Sequence, residues 1–189
     1  MHTLVERKHP ILRHVAKEVP KEEITGPRLR KILKDMKKAL HAEDDSVAIA
    51  APQIGVLLRI FIVSGRAFEI EEKIGPYGDE QKDSPVKKKM RRKDLVCINP
   101  KIKKESKDSL WMIEGCLSLR WLYGSVKRKK KTTIEAYDES GKKFTRGGSG
   151  LLSQIFQHET DHLNGILFTD KAREVENIPP ELQKKHVSK

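Results

Sequence analysis

The stretch Leu151 to Leu167, LLSQIFQHETDHLNGIL, constrains this chain more than any other. Leu151, Leu152, Ile155, Phe156, Glu159, His162 and Leu163 recur at spacings of three and four, the period of one helix face. Ser149 stands where a cap belongs and Gly165 where a helix stops. Inside lies His158-Glu159-Thr160-Asp161-His162, an H-E-x-x-H pattern. Residues four apart lie one turn above each other, so both imidazoles can reach a single metal ion. Glu159 sits beside them, close enough to handle the proton of a water on that ion. The face is otherwise apolar, which predicts a buried helix. A buried glutamate between two buried histidines is costly unless a divalent cation offsets it. The plainer alternative is a pair of satisfied histidines with no ligand role.

Two imidazoles do not complete a catalytic site, which takes three protein ligands and keeps one open position. Downstream, Asp170, Glu174 and Glu176 are available. Upstream, Cys116 is the stronger candidate: a thiolate suits Zn2+ or Fe2+, and Gly115 before it lets the backbone bend close. Cys97, flanked by Val96 and Ile98, reads instead as a buried structural thiol.

With 189 residues the chain suits one domain with a sizeable core. No apolar run approaches membrane-spanning length, and the start, MHTLVERKHPILRHV, has no signal-peptide pattern. The two cysteines fit a reducing compartment, so a cytoplasmic protein is expected. The net charge of +12 leans toward polyanionic partners or a solvated basic surface. At 5% aromatic content, stacking platforms for single-stranded nucleic acid are not expected.

In order, residues 1–24 read as a loop or edge strand, and Pro27 to Ala42 as a helix with the stripe Leu29, Ile32, Leu33, Met36, Leu40. Val47 to Gly55 is a small-residue loop in which Gln53 offers an amide to a site, and a strand follows over Leu57 to Val63. Residues 65–94 read as a charged excursion ending in a basic run. From Leu95 the pattern is β: Val96 to Asn99 closed by Pro100, Ser109 to Ile113, a turn at Tyr123-Gly124, Val126 to Lys131, Thr132 to Tyr137, and Lys142 to Arg146. Pro179-Pro180 opens a short helix or a frayed tail.

Three blocks in order resemble peptide deformylase. They are Ala50-Ala51-Pro52-Gln53-Ile54-Gly55, Glu114-Gly115-Cys116-Leu117-Ser118 and Gln157-His158-Glu159-Thr160-Asp161-His162. The Ile98-Asn99-Pro100 strand end, the Tyr123 to Arg128 segment and the Asp161 to Phe168 run agree too. The resemblance implies an α+β fold, one domain over residues 1–189 with antiparallel β-sheets packed around a central H-E-x-x-H helix, an N-terminal helix and the charged insertion at 65–94. It implies Cys116, His158 and His162 as ligands of an Fe2+ ion that Zn2+, Ni2+ or Co2+ can replace. Glu159 would be the acid/base, with Gln53 and the Leu117 backbone N–H as donors to the substrate oxygen. Val47, Ala48, Met112, Glu114, Tyr123, Leu151 and Ile155 would form the substrate pocket.

The implied reaction removes the formyl group from N-formyl-methionyl nascent peptides, as formate. The implied partners are those peptides and the ribosome, met through the basic surface, with a monomer and no membrane. Two departures stand out. Ser46 and Ala48 replace both glycines of the family's G-x-G, and a Cβ at Ala48 would narrow the cleft or meet a glycine-only backbone angle. Arg120-Trp121-Leu122 lacks the proline usual there. Two other readings compete: a zincin peptidase with a downstream third ligand, and a ribosome- or RNA-binding relative with little or no turnover.

Overall fold

The computed structural model describes residues 4–43, 45–75 and 92–179. In chain order its elements are α1 (Pro27–His41), β1 (Ala48–Ala50), β2 (Ile60–Val63), α2 (Gly65–Ile74), β3 (Leu95–Glu105), β4 (Ser109–Gly115), β5 (Leu122–Lys129), β6 (Lys131–Tyr137), β7 (Lys143–Ser149), α3 (Gly150–Leu163) and β8 (Arg173–Asn177), with short 3-10 turns between them. One antiparallel sheet runs β1-β2-β3-β6-β7 and a second runs β4-β5-β8. The expected α+β arrangement around the H-E-x-x-H helix is what forms.

Strand alternation builds the core. Ile60 and Ile62 of β2 pack with Ile49, Val96 and Ile98 against the stripe of α1, Leu29, Ile32, Leu33, Met36 and Leu40. Phe61 and Val63 point the other way, into a cluster with Cys97, Ile134, Ala136 and the α3 residues Leu152, Ile155, Phe156 and Leu163. A sheet covered on both faces needs apolar side chains at successive positions, which is why IFIV is buried throughout. A third cluster, Leu12, Leu119, Val126, Leu167 and Phe168, closes the small sheet onto the end of α3.

Several expectations change. The strand expected from Leu57 begins at Ile60. Pro100 does not end β3, which continues to Glu105 through an irregularity in its pairing with β6. There Asn99 takes a φ of 50°, and its side chain bonds both the N–H (2.8 Å) and the carbonyl (2.7 Å) of Val19. Tyr123-Gly124 lies within β5, not in a turn. A Cβ at Gly124 would stand 2.9 Å from Ala172 Cβ, so the glycine serves close approach rather than a bend. Strand β8 had no sequence signal, because all five of its residues are exposed and no alternation marks it. The N-terminal segment forms 3-10 turns at Pro10–Arg13 and Lys21–Glu23 and a single bridge, Lys17 to Leu58.

The excursion expected from residue 65 begins instead with helix α2. Ala67 and Phe68 bury themselves against α3, and Ser64 Oγ accepts from the Arg66 N–H at 3.3 Å. Residues 76–91, with most of the basic run, and the tail from 180 onward lie outside the described residues.

Ser149 makes no side-chain cap on α3, but Gly165 does end it. The Gly165 N–H bonds the His162 carbonyl at 3.2 Å and the Ile166 N–H bonds that of Asp161 at 3.0 Å, which makes a Schellman stop. Gly165 has φ +71°, and a Cβ there would lie 2.7 Å from the Arg13 carbonyl oxygen. Gly165→Ala is therefore expected to lower unfolding free energy by at least about 1–2 kcal/mol, the cost of the left-handed angle alone. Denaturant titration would read this as a lower midpoint at unchanged slope; an unchanged midpoint would contradict it.

Candidate metal centre and cleft

Helix α3 crosses beneath both sheets, and 12 of its residues, from Gly150 to Leu163, are buried. Two glutamines fix its height. Gln154 Nε2 donates to the Ile113 carbonyl on β4 at 2.8 Å. Gln157 accepts from the Lys129 N–H at 2.9 Å and donates to the Lys129 carbonyl at 3.0 Å, closing the end of β5 onto the helix. With the helix so held, its two histidines face the bend that follows β4. There Cys116, in extended conformation, precedes a 3-10 turn over Leu117–Leu119.

Cys116, His158 and His162 come together with their ligand atoms all within 4.8 Å of one another. Cys116 Sγ lies 3.2 Å from His162 Nε2. The two imidazoles meet edge to face, centroids 4.9 Å apart. The downstream alternatives are placed elsewhere. Asp170 pairs with Arg13 and accepts from the Leu167 N–H, and Glu174 and Glu176 are on the exposed strand β8.

The donor set fits a divalent transition metal: one soft thiolate, two imidazoles, and a geometry that leaves room for a fourth ligand. A second observation supports the fit. Glu159 is 4% exposed, and its Oε2 is buried with no partner among the described residues. Burial pushes its carboxyl up to about 7, against the pull of His158. A buried carboxylate oxygen left unpaired is costly unless a ligand meets it.

Behind the three candidate donors lies an ionic network. His158 Nδ1 bonds Glu114 Oε2 at 2.8 Å, which leaves its other nitrogen for the centre. Arg128 donates to both Glu114 oxygens, at 2.7 and 2.9 Å, and to Asp161 Oδ2 at 2.6 Å. Lys171 Nζ completes Asp161 at 2.7 and 2.8 Å. Burial raises the Glu114 carboxyl, but the Arg128 and His158 contacts outweigh it and hold it at about 2. Sequence reasoning assigned Glu114 to the pocket wall only and gave Arg128, Asp161 and Lys171 no role. A faint signal for Arg128 existed: it follows buried Val126 at the inward period of β5, between outward Lys127 and Lys129.

The centre opens into a cleft of about 340 Å³. Val47, Ala48, Glu114, Tyr123, Leu151 and Ile155 line it, as do Gln53, Leu117, His158 and Glu159. Met112 does not. Its neighbours Ile113 and Glu114 do. Gln53 accepts from the Ala50 N–H at 2.8 Å and donates to Cys116 Sγ at 3.4 Å, so its amide hydrogens face the centre. Neither Ser46 nor Ala48 has a positive φ, so no glycine-only angle is violated. The Ser46 hydroxyl donates to the Leu40 carbonyl in the last turn of α1 and to the Glu43 carbonyl just beyond it, a role a glycine lacks.

A histidine pair on one helix turn, a cysteine from a second segment and a buried glutamate define a metal-dependent hydrolase of the H-E-x-x-H kind. The chain belongs to the polypeptide deformylase family, whose model matches residues 1–177. It is 37% identical over 154 residues to peptide deformylase 2 of Clostridium acetobutylicum, covering 80% of this chain and 84% of that one. It is 34% identical over 185 residues to the chloroplastic peptide deformylase 1A of Solanum lycopersicum, covering 94% of this chain and 64% of the relative. Among solved structures, the Met-Ala-Ser-bound class I type b peptide deformylase of Acinetobacter baumannii superposes with a TM-score of 0.73 at 27% identity, covering 90% of this chain and 99% of the other. The peptide deformylase of Thermotoga maritima gives 0.71 at 26% identity, covering 92% and 98%.

The network sets a stability test. Arg128→Met leaves Glu114 without its main cation in a buried site, which costs about 3–5 kcal/mol. A midpoint shift under about 1 kcal/mol would show that Arg128 carries no such burden.

Proposed function

We propose that this chain removes the formyl group from the N-terminal methionine of nascent polypeptides as formate, and that Cys116, His158, His162 and Glu159 perform the work. The observation that carries the assignment of residues is the meeting of those donors, an unpaired Glu159 oxygen and the Gln53 amide in one cleft. Cys116, His158 and His162 would hold a divalent cation, Fe2+ by resemblance, with Zn2+, Ni2+ or Co2+ as substitutes. Such a cation supplies Lewis acidity and brings the pKa of a water near neutrality.

Glu159 takes the proton of the attacking water and later gives it to the leaving amine. A carboxyl held near 7 by burial suits both directions at neutral pH. Gln53 Nε2 and the Leu117 N–H donate to the oxygen on which charge develops. Leu151 and Ile155 offer the methionine side chain an apolar wall. Glu114 keeps His158 in one tautomer and orientation, with Arg128 fixing Glu114 in turn.

A zincin peptidase would take its third ligand from downstream, and Asp170, Glu174 and Glu176 are all engaged elsewhere or exposed. An RNA-binding relative without turnover has no use for a buried glutamate and an oriented amide. Contact with ribosomal RNA through the basic surface remains part of the proposal, as do the monomer and action in the cytoplasm, where the free Cys97 and Cys116 stay reduced. Among the described residues no helix is long and apolar enough to cross a membrane.

Fe2+-loaded protein, kept anaerobic because a thiolate ligand oxidises readily, is expected to release formate from formyl-Met-Ala-Ser. Chelation should abolish release. Glu159→Ala should reduce kcat by about 10²–10⁴, the worth of a general acid/base. Gln53→Ala should cost about 10²–10³, that of one oxyanion donor. No formate from the loaded protein, or full activity in Glu159→Ala, would overturn the proposal.

A further inference from the structure

The residues that precede α1 run past the site without entering it. Leu4 and Val5 are half-buried, although the five residues that follow them are all exposed. The Val5 N–H donates to the Gln53 carbonyl at 2.9 Å. The turn that carries Gln53, Ala51–Ile54, satisfies its own carbonyls at Ala51 and Pro52, which accept from the Val56 and Gly55 N–H groups at 3.1 Å each. The Gln53 carbonyl is left over, on a residue that is 2% exposed. A buried carbonyl needs a donor, and this one comes from 48 residues earlier in the chain. Gln53 is thereby held at both ends. Its side chain accepts from the Ala50 N–H, which turns the amide hydrogens toward Cys116 Sγ, and its backbone is held by Val5.

The same stretch meets the other segments of the site. Leu4 packs against the cluster that contains Ile54 and that Leu117 also joins. Val5 packs against the cluster of Leu119 and Val126 that Cys116 also joins, and its Cγ1 would stand 3.8 Å from a Cβ at Gly55. Farther along, Arg13 pairs with Asp170, and the Ala16 N–H bonds the carbonyl of Leu163, the last residue of α3, at 2.9 Å. Residues 4–16 therefore form a strap that runs from the Gln53 turn, past the Cys116 turn, to the end of the H-E-x-x-H helix. None of the strap's residues lines the cleft.

We infer that Val5 is a positioning residue: its backbone N–H fixes the Gln53 carbonyl and so sets where the Gln53 amide stands at the centre. The inference rests on the deformylase reading, in which that amide donates to the oxygen that gains charge. An oxyanion donor works only when it is in place before the charge develops. The Ala50 bond orients the amide, but only a fixed backbone keeps it at the right height. A displacement on the order of 1 Å at such a group costs up to about 10²-fold in rate. The strap touches no substrate, and the charge it serves exists only in the transition state, so it should act on kcat and leave KM nearly alone.

The test is a double-mutant cycle on the Fe2+-loaded full chain with formyl-Met-Ala-Ser, with kcat counted per bound metal. Val5→Pro removes the N–H and keeps apolar bulk, whereas Val5→Ala keeps the N–H and loses bulk. Val5→Pro should lower kcat about tenfold with KM within about twofold, and Val5→Ala should lower kcat about threefold at most. In the Gln53→Ala background, Val5→Pro should cost less than about twofold further, because the donor it places is gone. A merely structural lesion costs the same factor in both backgrounds. Leu4→Gly, which loosens the strap and leaves the N–H present, goes through the same cycle and decides the matter if Val5→Pro does not fold. It should lower kcat about threefold to fivefold alone and be near neutral beside Gln53→Ala. Equal factors in both backgrounds, or wild-type kcat in Val5→Pro, would overturn this inference and leave the deformylase reading intact. No formate from the wild type would overturn both.

Discussion

Three donor atoms from two distant stretches of chain meet within 4.8 Å of one another, and the rest of the fold answers to that constraint. The histidines are easy: one helix turn aligns them. The cysteine is hard, because it lies 42 residues before His158 and on a different element. The buried Arg128 guanidinium resolves the problem. It binds Glu114, two residues before Cys116, and Asp161, one residue before His162, so a single side chain ties both ligand segments to β5. A guanidinium suits this place better than an ammonium, since its planar fork reaches two carboxylates at fixed angles.

The network also explains why polar groups are tolerated on a helix packed into the core. Glu114, Arg128 and Asp161 satisfy one another, and Gln154 and Gln157 spend their amides on strand backbone. The exceptions on this helix are Glu159 Oε2 and His162 Nδ1, both buried with no partner among the described residues. A fold that satisfies most buried polar atoms of one helix and leaves these two open has concentrated its electrostatic cost at the candidate metal centre.

Legibility in the sequence followed the range of the interaction. Helix α1 and the site helix announced themselves through local periodicity, and the stop at Gly165 through a residue type that local geometry demands. Strand β8 gave no pattern because neither of its faces is buried. The continuation of β3 past Pro100 was hidden for a different reason: Asn99 accepts an unusual angle only because Val19, 80 residues away, takes both ends of its amide. Helix α2 was obscured by charged residues around Ala67 and Phe68, the two positions that actually reach the core.

The site divides the same way. The candidate donors and Glu159 stand out in the sequence because metal chemistry accepts few residue types at few spacings. Met112 stands outside the cleft lining although Ile113 and Glu114 of the same strand belong to it, so the cleft takes in only the end of β4 nearest Cys116. The role of Glu114 as the support of His158 needed three dimensions. The most direct measurement is X-ray absorption at the metal edge of the reconstituted protein. One sulfur near 2.3 Å and two nitrogens near 2.0–2.1 Å, about the usual distances, are expected for thiolate and imidazole ligation of Zn2+. A first shell of nitrogen and oxygen alone, with no sulfur, would contradict the account at its centre.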